Sequence, residues 1–378
     1  MDVKYTILIF ILAGFVACSS GQPQLPDDNG GNGGEETVYP WEKDRQEVIA
    51  VRDMVLIYGG GAHRNVVWDK RHFVPYVSYR DKEGVEEDLF DGFLFLEYSN
   101  GDAGAPRIFA TGYYGEPARK TDWKALADYY FKPGIALAGL EACVAEAEQR
   151  LQTGKKRKIV IVLPEPITAG ANSNYPTLPA NYWGEIDGSM LDFTRDSDRI
   201  TACKWYVDYV RARFDEAGFQ HLELTGFYWL AEESVHTKTI LAGVAAHLNR
   251  WKYSFNWIPY WKETPDYYEW KTLKFTYAYL QPNYFFNEAL PYSRLTQACS
   301  VVKQYDMDIE LEFDERVLVG VGNRGNRLRD YMRAFDENHL TTSKRMAYYQ
   351  GNDAIFLLSQ STAAEDVELF HEFCDFVK

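Results

Sequence analysis

The sequence predicts a (β/α)8 barrel, and three observations carry that expectation. Eight segments of strand character recur along the chain, at 54–58, 90–98, 158–163, 222–230, 253–258, 275–280, 308–313 and 345–349, with helical patterns between most of them. Connections from a helix to the next strand are short, as in Ala217-Gly218-Phe219-Gln220 and Tyr305-Asp306-Met307, whereas strand-to-helix connections such as 99–121 and 164–196 are long. That asymmetry suits a barrel whose working loops follow the carboxyl ends of its strands. The third observation is the stretch Asp308-Ile309-Glu310-Leu311-Glu312-Phe313-Asp314-Glu315. In a strand its alternation sends Ile309, Leu311 and Phe313 to one face and Glu310, Glu312 and Asp314 to the other. Barrel strands are normally apolar on both faces, so three acids on one face mark the mouth of a cleft.

Each helix has its own pattern. The segment 122–152 carries Leu126, Tyr129, Tyr130, Leu137, Leu140 and Val144, and 196–217 carries Ile200, Cys203, Val207 and Val210 at spacings of three and four. Further helices are expected at 234–250, 291–304, 327–338 and 363–377. Helices after the first and fifth strands are not clearly written, so the barrel is expected to be irregular there.

The chain has 378 residues, of which 46% are hydrophobic, enough to bury a large core. Its net charge of −15 argues against nucleic acid and anionic membrane surfaces as partners of the folded part. Tyrosine (27) and tryptophan (10) are abundant, which suits a surface that stacks on flat apolar ligand faces.

The first residues read as an export signal, 1–17. Lys4 precedes an apolar run from Thr6 to Ala17 that is too short to span a bilayer. The run ends at Phe15-Val16-Ala17-Cys18, which resembles a bacterial lipobox and implies lipidation of Cys18. A Gly, Pro and Asp-rich stretch, 18–38, then reads as a flexible tether, leaving 39–378 for the barrel. The expected setting is the bacterial cell envelope, with membrane contact through the lipid alone. Cys143, Cys203, Cys299 and Cys374 form no CxxC pair and sit among apolar neighbours, as buried free thiols do.

Reading the strand ends in order gathers polar and aromatic groups on one rim: Tyr58 with Gly59-Gly60-Gly61, Glu97, Glu165, Trp229 with Glu232-Glu233, Trp257, Gln281 with Asn283 and Tyr284, Glu312 with Asp314, and Tyr349. Acids and amides hydrogen-bond hydroxyls, and aromatic faces cover sugar rings. Two acid clusters at strand ends, Glu232-Glu233 and Glu310 to Asp314, suggest a two-carboxylate active site. Glu310 lies one step deeper and is expected either to raise its neighbours' carboxyls or to pair with a base such as Arg316 or Arg324. Strand alternation sends Glu233 inward if Leu222 and Leu224 face the helices, but geometry relaxes at a strand end, so Glu232 stays a candidate beside it. The glycine run lacks a Gly-Lys-Ser/Thr ending and reads as a tight turn that lets a ligand approach.

At this point the layout resembles retaining glycoside hydrolases of the clan A barrel type. That resemblance implies Glu312 as nucleophile and Glu233 or Glu232 as acid/base, with no cofactor or metal. Those barrels place Asn directly before the acid/base, where this chain has Ala231 or Glu232. The chain as a whole is also similar to an uncharacterised family of bacterial exported proteins grouped as a domain of unknown function. Other chemistries fit less well. The seven His form no HxH or HExxH, and no Gly-x-Ser-x-Gly elbow is present. A divalent-cation site built from Glu310, Glu312 and Asp314 is a lesser alternative, and a glycan-binding surface lipoprotein without catalysis is the alternative from another class.

Overall fold

The computed structural model describes residues 50–168, 178–261, 264 and 266–378. The signal segment, the tether and Cys18 lie outside the described residues. Eight parallel strands close into a barrel: β1 (Asp53–Tyr58), β2 (Gly92–Leu96), β3 (Arg157–Leu163), β4 (Leu222–Trp229), β5 (Ser254–Trp257), β6 (Tyr277–Leu280), β7 (Asp308–Phe313) and β8 (Met346–Gln350). Neighbours follow chain order, and β8 closes the ring against β1. The expected (β/α)8 architecture is therefore the observed one.

Helices α1 (Lys70–Val77), α2 (Lys120–Tyr130), α3 (Ala136–Leu151), α4 (Asp196–Ala217), α5 (Lys238–Arg250), α6 (Ser293–Gln304), α7 (Gly325–Glu337), α8 (Ala354–Gln360) and α9 (Ala364–Val377) accompany the strands. The single helix expected at 122–152 is two. Pro133 denies the chain an amide donor and Gly134 takes φ 77°, so α2 ends and α3 begins again at Ala136. A helix does follow the first strand, entered through Asp69, whose carboxylate accepts the His72 N–H at 3.0 Å. Between β5 and β6 the described residues hold only the 3-10 turn Tyr267–Glu269. Gly218, in the left-handed region at φ 61°, stops α4 just before β4.

Strand register fixes which side chains enter the barrel. Val55, Phe93 and Ile159 align, as do Ile57, Phe95 and Ile161, and they face the helices. Glu310 aligns with Ala347 and Glu312 with Tyr349, on the opposite, interior face. Strand β4 has one irregularity: Leu224 pairs with Ile159 but Gly226 pairs with Val160, leaving Thr225 as an extra residue. Below this bulge, even-numbered Leu222 and Leu224 face the helices. Above it, even-numbered Gly226 and Tyr228 face the interior, while Phe227 and Trp229 turn outward. Gly226 is required there, because a Cβ would lie 1.9 Å from Ser254 Oγ. The four described cysteines are buried and free, and burial pushes the thiols of Cys143 and Cys203 up to about 12.

Candidate functional site

Strand β7 delivers Glu310 and Glu312 to the barrel interior, where they are 3% and 2% exposed. One carboxylate oxygen of Glu312 accepts the Asn283 backbone N–H at 2.6 Å and the Tyr331 hydroxyl at 2.8 Å. The Tyr331 oxygen itself accepts the Tyr284 N–H at 3.0 Å, so its own proton is aimed at Glu312. Both donors favour the ionised form. Burial is the larger influence and raises Glu312, with the charge of Glu232 adding to it and that of Arg294 opposing it. Glu310 is raised too, by burial and by the charges of Glu312 and Glu232.

Glu232 follows β4 and keeps the inward parity that the Thr225 bulge creates. The Gln281 side chain hydrogen-bonds it, and burial pushes it up to about 7. Its main-chain carbonyl accepts the Thr264 hydroxyl at 2.8 Å, which ties the end of β4 to the β5 loop. Gln281 also donates to the Ile258 carbonyl at 3.0 Å. Asn283 and Gln281, two residues apart after β6, therefore each hold one of the paired acids.

Glu233 points elsewhere. It accepts the Val235 N–H at 2.6 Å and lies 3.4 Å from the Thr111 hydroxyl, closing the turn that leads to α5. Leu222 and Leu224 do face the helices, the condition under which the sequence turned Glu233 inward, but the bulge reverses the alternation above them. Of the two adjacent acids, Glu232 is the one whose charge reaches Glu310 and Glu312.

Half-buried tyrosines gather at the strand ends around these acids. Tyr58 meets Tyr349 edge-on at 5.7 Å and Tyr98 at 6.4 Å, and Tyr98 stacks on Tyr113 at 4.5 Å. Tyr228 lies within reach of the charges on Glu232 and Glu310, and Tyr113 within reach of Glu232. Arg64 covers Tyr58 and Tyr98 at 4.7 and 5.2 Å. Its guanidinium grips Glu97 through two bonds of 2.6 and 2.8 Å and reaches Asn352 at 2.7 Å.

The described chain from β1 to α9 matches the family described as Domain of unknown function (DUF4855) over residues 53–375. The chain is a DUF4855 protein. No curated protein matches it. Solved structures similar to this DUF4855 barrel include the tryptophan synthase A-subunit of Pyrococcus furiosus, with 9% identity over 87% of this chain and 99% of that one at a TM-score of 0.36. The carboxyl transferase domain of Rhizobium etli pyruvate carboxylase with pyruvate shares 7% identity over 95% of this chain and 54% of that one at 0.38. A mutant structure in complex with xylotriose shares 9% over 82% and 87% at 0.38. At such scores nothing about the ligand of the DUF4855 chain follows from them.

Several residues expected on the rim are engaged elsewhere in the DUF4855 barrel. Trp229 and Trp257 are fully buried on the helix-facing side, against Phe255 and Phe275, because the bulge reverses β4 and Trp257 aligns with Trp229. Tyr284 packs under Arg327 at 3.5 Å and donates to Asp330 at 2.7 Å. Asp314 is bound by Arg316 through main chain and guanidinium, so the three β7 acids do not converge as a cation site would require. Glu97 is committed to Arg64. Glu165 sits beside Thr111 and Glu233 and is pushed up to about 7, chiefly by burial. Gly61 makes room for the chain itself, since a Cβ there would lie 2.8 Å from the Ser99 carbonyl. Tyr58, Gln281, Asn283 and Tyr349 remain around Glu232, Glu310 and Glu312. Tyr228, Tyr113 and Tyr331 join them without having been singled out in the sequence, and Arg64 stands behind Tyr58 and Tyr98.

Proposed function

We propose that this protein is a glycoside hydrolase working through two carboxyls, Glu312 as nucleophile and Glu232 as acid/base, at the cell envelope to which a lipid on Cys18 anchors it. The observation that carries the reading is the meeting of Glu232 and Glu312 at the ends of β4 and β7, where the charge of Glu232 acts on Glu312 and the two are held by different donors. Glu312 has two donors that favour its anion. Burial raises both carboxyls to about 7, so it is the donor sets that divide the roles: Glu232, with one amide partner, is the acid that keeps its proton near neutrality.

In this mechanism the Glu312 carboxylate attacks the anomeric carbon. The bond to the leaving oxygen breaks as that oxygen takes the Glu232 proton. The product is a glycosyl ester on Glu312. Water then attacks the same carbon, gives a proton back to Glu232, and the ester bond breaks to regenerate both acids. The gathered tyrosines suit the apolar faces of a sugar ring.

The test is turnover on a panel of aryl glycosides. Glu312→Gln should abolish turnover on every member. Glu232→Gln should cost about 10²–10⁴-fold on poor leaving groups and much less on strongly acidic phenols, which need no protonation. Equal losses across all leaving groups would remove Glu232 from the acid role. Ala231, standing where the resembled barrels have Asn, favours a second reading as a glycan-binding protein. Carbohydrate binding by a parent protein that turns over no member of the panel would establish that reading instead.

A further inference from the structure

Hydrolysis at this site uses two carboxyls, and the pocket holds a third. Glu310 is 3% exposed, on the interior face of β7, one pleat below Glu312. Its carboxyl has no hydrogen-bond partner among the described residues. The two charges that act on it, from Glu312 and Glu232, are both negative. A buried acid without a donor or a cation is costly unless a ligand supplies one.

The tyrosines around Glu310 have a matching property. Tyr228 is 3% exposed, lies within reach of Glu310, and its hydroxyl is also without a partner among the described residues. Tyr58 reaches Glu310 as well, and Tyr349 packs on Tyr58. Tyrosine faces attract cations through the ring quadrupole, and rings around a carboxylate form a common receptor for an ammonium group. The cations already nearby are engaged: Arg64 is neutralised by Glu97, and Arg294 donates to the Pro282 carbonyl and covers the Trp261 ring.

We infer that the pocket selects an amino sugar whose free ammonium group pairs with Glu310 beneath the Tyr58, Tyr228 and Tyr349 rings. The inference rests on the carbohydrate reading of the site and deepens it by naming the substrate class. An incoming ammonium brings the opposite charge that the three acids lack. Glu310 enters as a neutral acid and pairs as a carboxylate, so its proton leaves to solvent as the ammonium arrives. N-acetylation removes the charge and adds bulk, so acetylated sugars are disfavoured at this position.

Titration calorimetry on the full chain tests this, with the methyl glycosides of glucosamine, galactosamine and mannosamine set against their N-acetyl counterparts. At least one amine should bind about tenfold or more tightly than its acetylated form, as a charged hydrogen bond in a buried site warrants. Binding should release a proton, read from the dependence of the heat on buffer ionisation. In Glu310→Gln the amine-to-acetyl ratio should fall toward one and the proton release should vanish. Gln has nearly the same shape as the neutral acid and cannot ionise. If that variant nonetheless fails to fold, Tyr58→Leu, which takes away one ring face, should lower the same ratio. A preference that survives Glu310→Gln, or a parent that favours acetylated sugars, overturns the inference while leaving the carbohydrate reading intact. A parent that binds neither set and cleaves no aryl glycoside overturns both.

Discussion

Asn283 gives its backbone N–H to Glu312 at 2.6 Å from a left-handed conformation, φ 53°. Two requirements meet at this residue. The amide must point into the barrel, and the chain must turn sharply after β6 to let it do so. Asn is among the few residues with a Cβ that enter this region at modest cost. Asn283→Val should therefore cost about 1–2 kcal/mol in strain and loosen the grip on Glu312. With one donor weakened, the Glu312 carboxyl rises, and the acid limb of the rate profile should move to higher pH. Asn283→Gly should keep both the turn and the amide. Urea denaturation and a pH–rate profile of the three proteins check this. An unmoved acid limb in the valine variant would mean the Tyr331 hydroxyl alone sets the charge of Glu312.

The raised carboxyl of Glu232 makes a stability prediction whose sign is opposite to that of a salt-bridged acid. Its ordinary value near 4.5 applies to the unfolded chain, and about 7 to the folded one. Between these values the folded state holds the proton more tightly, so folding is favoured below about pH 4.5 and that advantage is lost as pH rises through 7. Glu232→Gln removes the loss. The variant should gain about 1–3 kcal/mol relative to the parent at pH 8, the lower end reflecting the partial exposure of Glu232, and close to nothing at pH 4.5. Chemical denaturation at the two pH values measures it. A gain that is equal at both would show that packing, not ionisation, separates the two proteins.

The barrel was legible because its signals are local and periodic. The alternation at 308–313 put Glu310 and Glu312 on one face, and the register with β8 bears that out directly. The paired-acid idea also came from strand ends alone. What the sequence hid was parity in β4. Thr225 is an unremarkable strand residue, yet as a bulge it moves Tyr228 and Glu232 inward and Trp229 outward. Only the misfit between Leu224 and Gly226 against consecutive Ile159 and Val160 reveals this, and that needs the neighbouring strand. Tyr331 was invisible for another reason. It sits on α7, where its spacing reads as an ordinary core position, and its hydroxyl contact is a tertiary fact. Arg64 lies in a loop of no pattern, and its partner Glu97 read as a free ligand-binding acid because nothing local announces a guanidinium from 33 residues away.

That Arg64–Glu97 pair yields the last prediction. Glu97 is fully buried, directly after β2, and it also accepts the Tyr98 N–H at 2.9 Å. Arg64 is 11% exposed at its side chain and joins the loop after β1 to Asn352 after β8. The pair therefore pins three neighbouring strand ends beside the gathered tyrosines. Arg64→Ala takes the guanidinium from a buried carboxylate, leaving it the Tyr98 N–H and the His63 ring at 3.8 Å, and should cost about 3–5 kcal/mol. Adding Glu97→Gln should recover much of that, because the orphaned charge is gone, although the strut between the loops is not restored. Arg64→Lys should fall between, since a point charge cannot make the two-pronged contact. A double-mutant cycle by urea denaturation reads the coupling. If the two single losses simply add, the pair is a surface contact in energetic terms, and the rim of the pocket owes its shape to the stacked Tyr98 and Tyr113 rings instead.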